Sequence, residues 1–371
     1  MVICFECSPD TKRALDSLLS TGNYKDYSEL LAVAIANQAL LHSKIKESGS
    51  NSVQLDKDVA PSYRAAAPGK EEIRNVSLSL VPQIDVSRFG VPDLFSSLPA
   101  LSGADSSRAV ASYREVKKHQ ESIPLANWLF GQYNRLLPVK ASCRALARLT
   151  PSSEGVESSK AARVIADAAN ELGLYLKMLD RRHKRSRDDL LATAFPSTSD
   201  PEKGKLRYAS QFVASLSKEG ALSGLPAELQ LVGVLDRDKI SLTEAGWMFA
   251  RLPNPLLDEK DDNPTTRFTE EERTFLLSHI ESHVPTERFA YSAILDAIKS
   301  GNNTPTLLGS ALKGLEGTKI KFSPLFYATQ RSGALSRMSD LELVGRERDG
   351  IRVQYSLTDA GEEFLSKRSR K

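Results

Sequence analysis

The chain carries one arrangement of short segments twice. Gly220-Ala221-Leu222-Ser223, Leu229-Gln230-Leu231-Val232-Gly233 and Ser241-Leu242-Thr243-Glu244-Ala245-Gly246 recur in the same order as Gly333-Ala334-Leu335-Ser336, Leu341-Glu342-Leu343-Val344-Gly345 and Ser356-Leu357-Thr358-Asp359-Ala360-Gly361. The offset is 112 to 115 residues, and so small a drift implies short insertions inside equivalent units, the mark of a duplicated domain. This constrains the fold more than composition does, because what one copy forms the other must also be able to form. Each copy reads as a helix ending near the Gly-Ala-Leu-Ser piece, then a Leu-Val-Gly turn into a strand. A polar turn follows, and a second strand meets Leu-Thr-Xaa-Ala-Gly at the next helix. Within Leu343 to Thr358, Asp349-Gly350 is the expected hairpin turn.

This order resembles the end of a winged-helix domain, the hairpin being the wing. The helices before the second wing are expected at Pro285 to Ser300, Pro305 to Leu315 and around Tyr327 to Leu341. The first wing, Leu235-Asp236-Arg237-Asp238-Lys239, is shorter and nearly neutral, so the second copy is the better candidate for holding DNA. Upstream, a helical region is expected from Ser107 through Trp128, Tyr133 and Leu137. Pro138 opens the next helix, where a first-turn proline is tolerated. After the break at Thr150 to Gly155, Ser158 or Ser159 caps a long helix with Ala162, Ile165, Ala169, Leu172 and Leu176 at helical spacing.

At the N-terminus, Ile3, Phe5 and Cys7 alternate with Cys4 and Glu6 as a short strand does, and Ser8-Pro9 opens a helix that ends at Thr21-Gly22-Asn23. Asp26 and Glu29 form a capping box for a second helix running through Leu41. One strand and two helices cannot close a core alone, and pairing with a second copy through the strand removes the exposed edge. The order and spacing, with Tyr24 to Leu31 opening the second helix, resemble the ribbon-helix-helix family of DNA-binding proteins. The resemblance implies a homodimer whose ribbon enters the major groove, with Val2, Cys4 and Glu6 as base readers and the helix start near Ser28 on a phosphate. Glu6 departs from the basic or amide readers of that family, since a carboxylate accepts only from a cytosine amino group.

The expected organisation is mainly α with short β: a ribbon-helix-helix module over 1–46, a flexible linker and extended segment over 47–106 and a first helical, winged-helix domain over 107–252. An acidic linker over 253–268 and a second winged-helix domain over 269–371 complete it. A formal net charge of +3 says little, but its distribution is uneven. Residues 140–187 carry a net +6 and 317–371 a net +4, against −5 over 254–283. DNA affinity comes from cations that displace counterions from phosphate, which selects Arg181, Arg182, Lys184, Arg185 and Arg187 in one cluster and Arg331, Arg337, Arg346, Arg348 and Arg352 in the other. The acidic stretch is the expected place for a protein partner.

Three cysteines make no disulfide framework. Cys4-Phe5-Glu6-Cys7 lacks a second pair for zinc, and His279-Ile280-Glu281-Ser282-His283 lacks the glutamate after the first histidine that a metalloprotease helix needs, so it reads as a surface helix. No cofactor, no catalytic constellation and no membrane span is expected. The function these features point to is a cytoplasmic, nucleoid-associated, sequence-specific binder of double-stranded DNA, a transcriptional regulator of a prokaryote, virus or plasmid. A centromere-binding protein of plasmid or chromosome segregation and a non-enzymatic scaffold that uses winged helices as protein contacts are the alternatives.

Overall fold

The computed structural model describes Asp16 and residues 90–99, 109–114, 122–150, 154–197, 201–217, 219–259, 263–264, 266–317, 322–350 and 352–368. The ribbon-helix-helix reading, with Val2, Cys4, Glu6 and Ser28, lies outside the described residues, as do the tether to residue 89 and the basic tail from Ser369. The described part is mainly helical, with a few short antiparallel strands. None of its helices is long and apolar enough to cross a membrane.

The first half consists of α1 (Leu137–Leu149), β1 (Val156–Glu157), α2 (Ser158–Arg182) and α3 (Pro201–Tyr208) with a wide turn over Ala209–Val213. It continues with β2 (Ser215–Leu216), β3 (Leu222–Ser223), α4 (Leu225–Glu228), β4 (Val232–Asp236), β5 (Lys239–Leu242) and α5 (Glu244–Arg251). The second half has α6 (Glu270–His283), α7 (Pro285–Lys299), α8 (Pro305–Ala311), α9 (Pro324–Asp340), β6 (Val344–Asp349), β7 (Arg352–Leu357) and α10 (Asp359–Arg368). Prolines at the first turn start α1, α7 and α8 as the sequence predicts, and Pro324 starts α9 a few residues before the expected Tyr327. In α2, Ala161, Ile165, Ala169, Leu172 and Leu176 form one buried stripe.

The duplication has a physical basis in a shared corner. Gln230 and Glu342 take the left-handed conformation after the preceding helix, with φ of 59° and 56°. The Thr243 hydroxyl then donates to the Gln230 carbonyl at 2.7 Å and the Thr358 hydroxyl to the Glu342 carbonyl at 2.5 Å, while each accepts from a glycine N–H, Gly246 or Gly361, at 3.1 Å. A Cβ on either glycine would overlap the carbonyl oxygen of Leu231 or Leu343, which is why Leu-Thr-Xaa-Ala-Gly is retained in both copies. Val232 pairs with Leu242 and Val344 with Leu357, so the drift in offset lies in the hairpin. The second hairpin is the longer. Val156 of β1 pairs with Ile240, completing a sheet of order β1-β5-β4. At the matching place in the second half, the Tyr355 N–H donates to the Asn303 carbonyl at 2.7 Å.

Two expectations are corrected. Gly220 to Ser223 form a turn and β3, whereas Gly333 to Ser336 lie in the middle of α9, so this tetrapeptide is not equivalent between copies. Trp128 to Leu136 are not helical. Their backbone groups are instead occupied by α9, where Gln330, Gly333, Arg337 and Asp340 make a buried stripe. Gln330 accepts from Gly131 N–H at 2.5 Å and donates to the Trp128 carbonyl at 3.2 Å. Arg337 donates to the Tyr133 carbonyl, and Asp340 accepts from Leu136 N–H at 2.9 Å.

Over its described part the stretch read as an acidic linker packs against the core: Asn254, Leu256, Leu257 and Phe268 are buried, and Asp258 is a counter-ion for α1. Lys140 and Arg144, one turn apart and both fully buried, pair with Glu272 of α6 at 3.0 Å and with Asp258 at 2.5 Å. Asn254, also buried, donates to both oxygens of Glu272 and accepts from the N–H groups of Leu256 and Leu257. Burial pushes Lys140 down to about 8 and Glu272 upward. The Glu272 carboxylate accepts from Lys140, Asn254 and the Thr269 N–H, and these donors oppose the upward push of burial. Removing one partner strands a buried charge, so Lys140→Met is expected to cost about 3–5 kcal/mol in urea unfolding. The double variant Lys140→Met, Glu272→Leu should recover most of that loss.

Candidate nucleic-acid interface

The two basic segments selected from sequence meet in space. The end of α2 exposes Arg181 and Arg182, and the following turn exposes Lys184 and Arg187. The next residue, Asp188, reaches the second hairpin. Its carboxylate accepts from Arg348 Nε at 2.8 Å and Nη2 at 3.3 Å, and lies 3.0 Å from Arg346 Nη1. Arg348 is the main cause holding the Asp188 carboxyl below its usual range, with Arg346 and Arg187 adding to it. Among the described residues, Arg181, Arg182, Lys184, Arg187 and Arg352 form no ion pair.

Strand register sorts the hairpin cations. Arg346 stands opposite Tyr355 and Arg348 opposite Val353, which puts these four on the face turned toward Asp188. Arg352 stands opposite Asp349 on the other face, with Glu347 and Gln354.

Three sequence-selected cations have structural partners. Arg337 is fully buried, with Nη2 donating to Glu287 at 3.0 Å, so it is a core counter-ion and not a surface cation. Arg185 donates to Asn263 Oδ1 and the Pro264 carbonyl, each at 2.8 Å, and ties the turn to the second half. Arg331 lies half-buried along Gly309 of α8. Lys140 and Arg144 also counted toward the positive charge of residues 140–187 and are internal. Sequence counting missed this because a net charge does not record which cations already have buried acids.

Beside the Asp188 contact is a cleft of about 660 Å³ whose wall includes Ser332, Ser336 and Ser339 of α9, together with Tyr355 and Arg346. The outward face of α9 is thus uncharged where it borders the cationic hairpin. Arg135 and Arg267 at the back of the cleft are both committed to Asp340, at 3.1 and 3.5 Å. No protein-family model, curated protein or solved structure matches this chain.

The histidine pair on α6 is split between surface and core: His283 is exposed, as expected of a surface helix, and His279 is not. His279 is buried, its Nε2 lies 2.8 Å from the Leu229 carbonyl, and its ring is stacked between those of Phe275 and His283 at 6.0 and 4.8 Å. Burial brings its pKa from 6.5 down to about 4. Between those values the unfolded chain binds more protons than the folded one, so the contribution is complete above pH 6.5 and is lost as pH falls toward 4. Denaturant titrations should therefore show stability falling by up to about 3 kcal/mol over that interval from this group. In His279→Phe, which keeps the ring stack, that part of the pH dependence should disappear.

Proposed function

We propose that this protein binds double-stranded DNA as a dimer and acts as a sequence-specific regulator, with tandem winged-helix units and an N-terminal ribbon-helix-helix module. The observation that carries the reading is the meeting at Asp188 of the basic end of α2 and the basic face of the second hairpin, which makes one cationic surface from segments far apart in sequence. Support for winged-helix units comes from the order helix, strand, helices, hairpin, helix in the first half, into which the short β2-β3 pair is inserted ahead of α4, with a β1-β5-β4 sheet. The shared corner and the Asn303 contact echo it in the second. In this reading Arg181, Arg182, Lys184 and Arg187 contact phosphates, Arg346 and Arg348 extend the same track, and the ribbon supplies the dimer and base reading.

A scaffold role is the second reading, favoured by the uncharged outward face of α9. A salt titration separates the two, because phosphate contacts make log K fall linearly with log salt concentration. Replacing Arg181, Arg182, Lys184 and Arg187 together with alanine should weaken duplex binding and flatten that slope by about three. Arg352→Ala, on the opposite hairpin face, should change it less. Duplex binding absent even at low salt would favour the scaffold.

A further inference from the structure

We propose that the Arg346–Arg348 pair is a phosphodiester-binding site which the Asp188 carboxylate fills in the free protein and which DNA opens by displacing it. This inference rests on the DNA-binding reading above and adds a residue that restrains it.

The geometry is that of an anion site already holding an anion. Arg348 presents two nitrogens to the two oxygens of Asp188, at 2.8 and 3.3 Å, the forked arrangement a guanidinium also offers to phosphate. Arg346 adds a third contact at 3.0 Å. One carboxylate thus faces two guanidiniums, with Arg187 beside it, and leaves unspent positive charge. Of the other acids on the cleft, Glu342 pairs with Arg273 at 3.1 Å and Asp189 accepts from the Ser186 hydroxyl at 2.6 Å, while Asp359 lines the wall and forms no ion pair with either arginine.

The contact also differs in kind from the ion pairs of the core. The side chains of Arg337, Glu287 and Arg144 are fully buried, and breaking their pairs leaves a charge stranded. Asp188, Arg346 and Arg348 keep 24, 32 and 38% of their side-chain surface in water. Exposed pairs contribute only about 0–1 kcal/mol, so exchanging a carboxylate for a phosphate costs little. The adjoining cleft, with the Ser336 and Ser339 side chains on its wall, gives an incoming phosphate group room and hydroxyl donors.

The test uses the full chain and a mixed-sequence duplex of about 30 base pairs, since the contact is sequence-independent. Fluorescence anisotropy would be followed from roughly 50 to 200 mM salt. Asp188→Asn keeps the shape and removes the competing charge. It should bind roughly three- to tenfold more tightly at the lowest salt, with a salt slope steeper by about one. The gain should vanish when Arg346→Ala and Arg348→Ala are added. If the wild type binds and Asp188→Asn binds equally or more weakly, Asp188 is not a competitor and this inference alone fails. A gain that persists in the triple variant places the effect elsewhere and also overturns it. If neither wild type nor Asp188→Asn binds the duplex at the lowest salt, the DNA reading fails and the inference with it.

Discussion

The rest of the structure depends on the pairing of α1 with acids contributed from more than a hundred residues away. Lys140 and Arg144 sit one turn apart on a helix whose other buried residues are apolar apart from Ser142, and neither charge has access to water. Each is acceptable there only because an acid meets it: Glu272 from α6 and Asp258 from the segment before it. Both ionic contacts form only when the first half, the intervening segment and the second half assemble together. A hydrophobic joint of the same size tolerates sliding, whereas these contacts specify one register, since a shift by a residue leaves two buried charges unmatched.

The two halves resemble each other where backbone geometry is demanding and differ where it is not. The left-handed residue, the threonine that bridges it and the glycine that approaches a carbonyl are fixed by sterics and hydrogen bonding, so they persist in both copies. Helix length and hairpin length carry no such constraint. One turn of α4 stands where the other copy has the long α9, and the second hairpin projects further. The longer hairpin is the one that reaches Asp188 and the end of α2.

Much of this was legible in the sequence, for physical reasons. First-turn prolines, Leu-Thr-Xaa-Ala-Gly and the Asp349-Gly350 turn are local signals, and they placed α7, α8 and the second hairpin, with α9 expected only approximately around Tyr327 to Leu341. Trp128 to Leu136 misled because its apolar residues have helical spacing, while the competing partner for its backbone lies some two hundred residues away in Gln330, Arg337 and Asp340. Asp258, at the head of an acidic run that reads as a solvated linker, misled because sequence does not reveal that it meets a buried arginine. For the candidate interface, the two basic clusters could be read from composition, but their convergence could not. Asp188 drew no attention because an aspartate at the end of a basic run reads as a break in the charge and not as its hub.

The docking of α9 has a consequence for how this protein tolerates change. Most of the groups it grips on the facing segment are main-chain atoms, the Trp128 carbonyl, the Gly131 N–H, the Tyr133 carbonyl and the Leu136 N–H, joined by the Arg135 guanidinium on Asp340. Such a grip reads spacing more than side-chain identity, apart from Arg135, the buried Trp128, Leu129 and Leu136, and Gly131, whose missing Cβ lets Gly333 and the backbone at Thr329 close in. It is unforgiving of spacing. An insertion or deletion of a single residue there would put every later contact out of step with the helix.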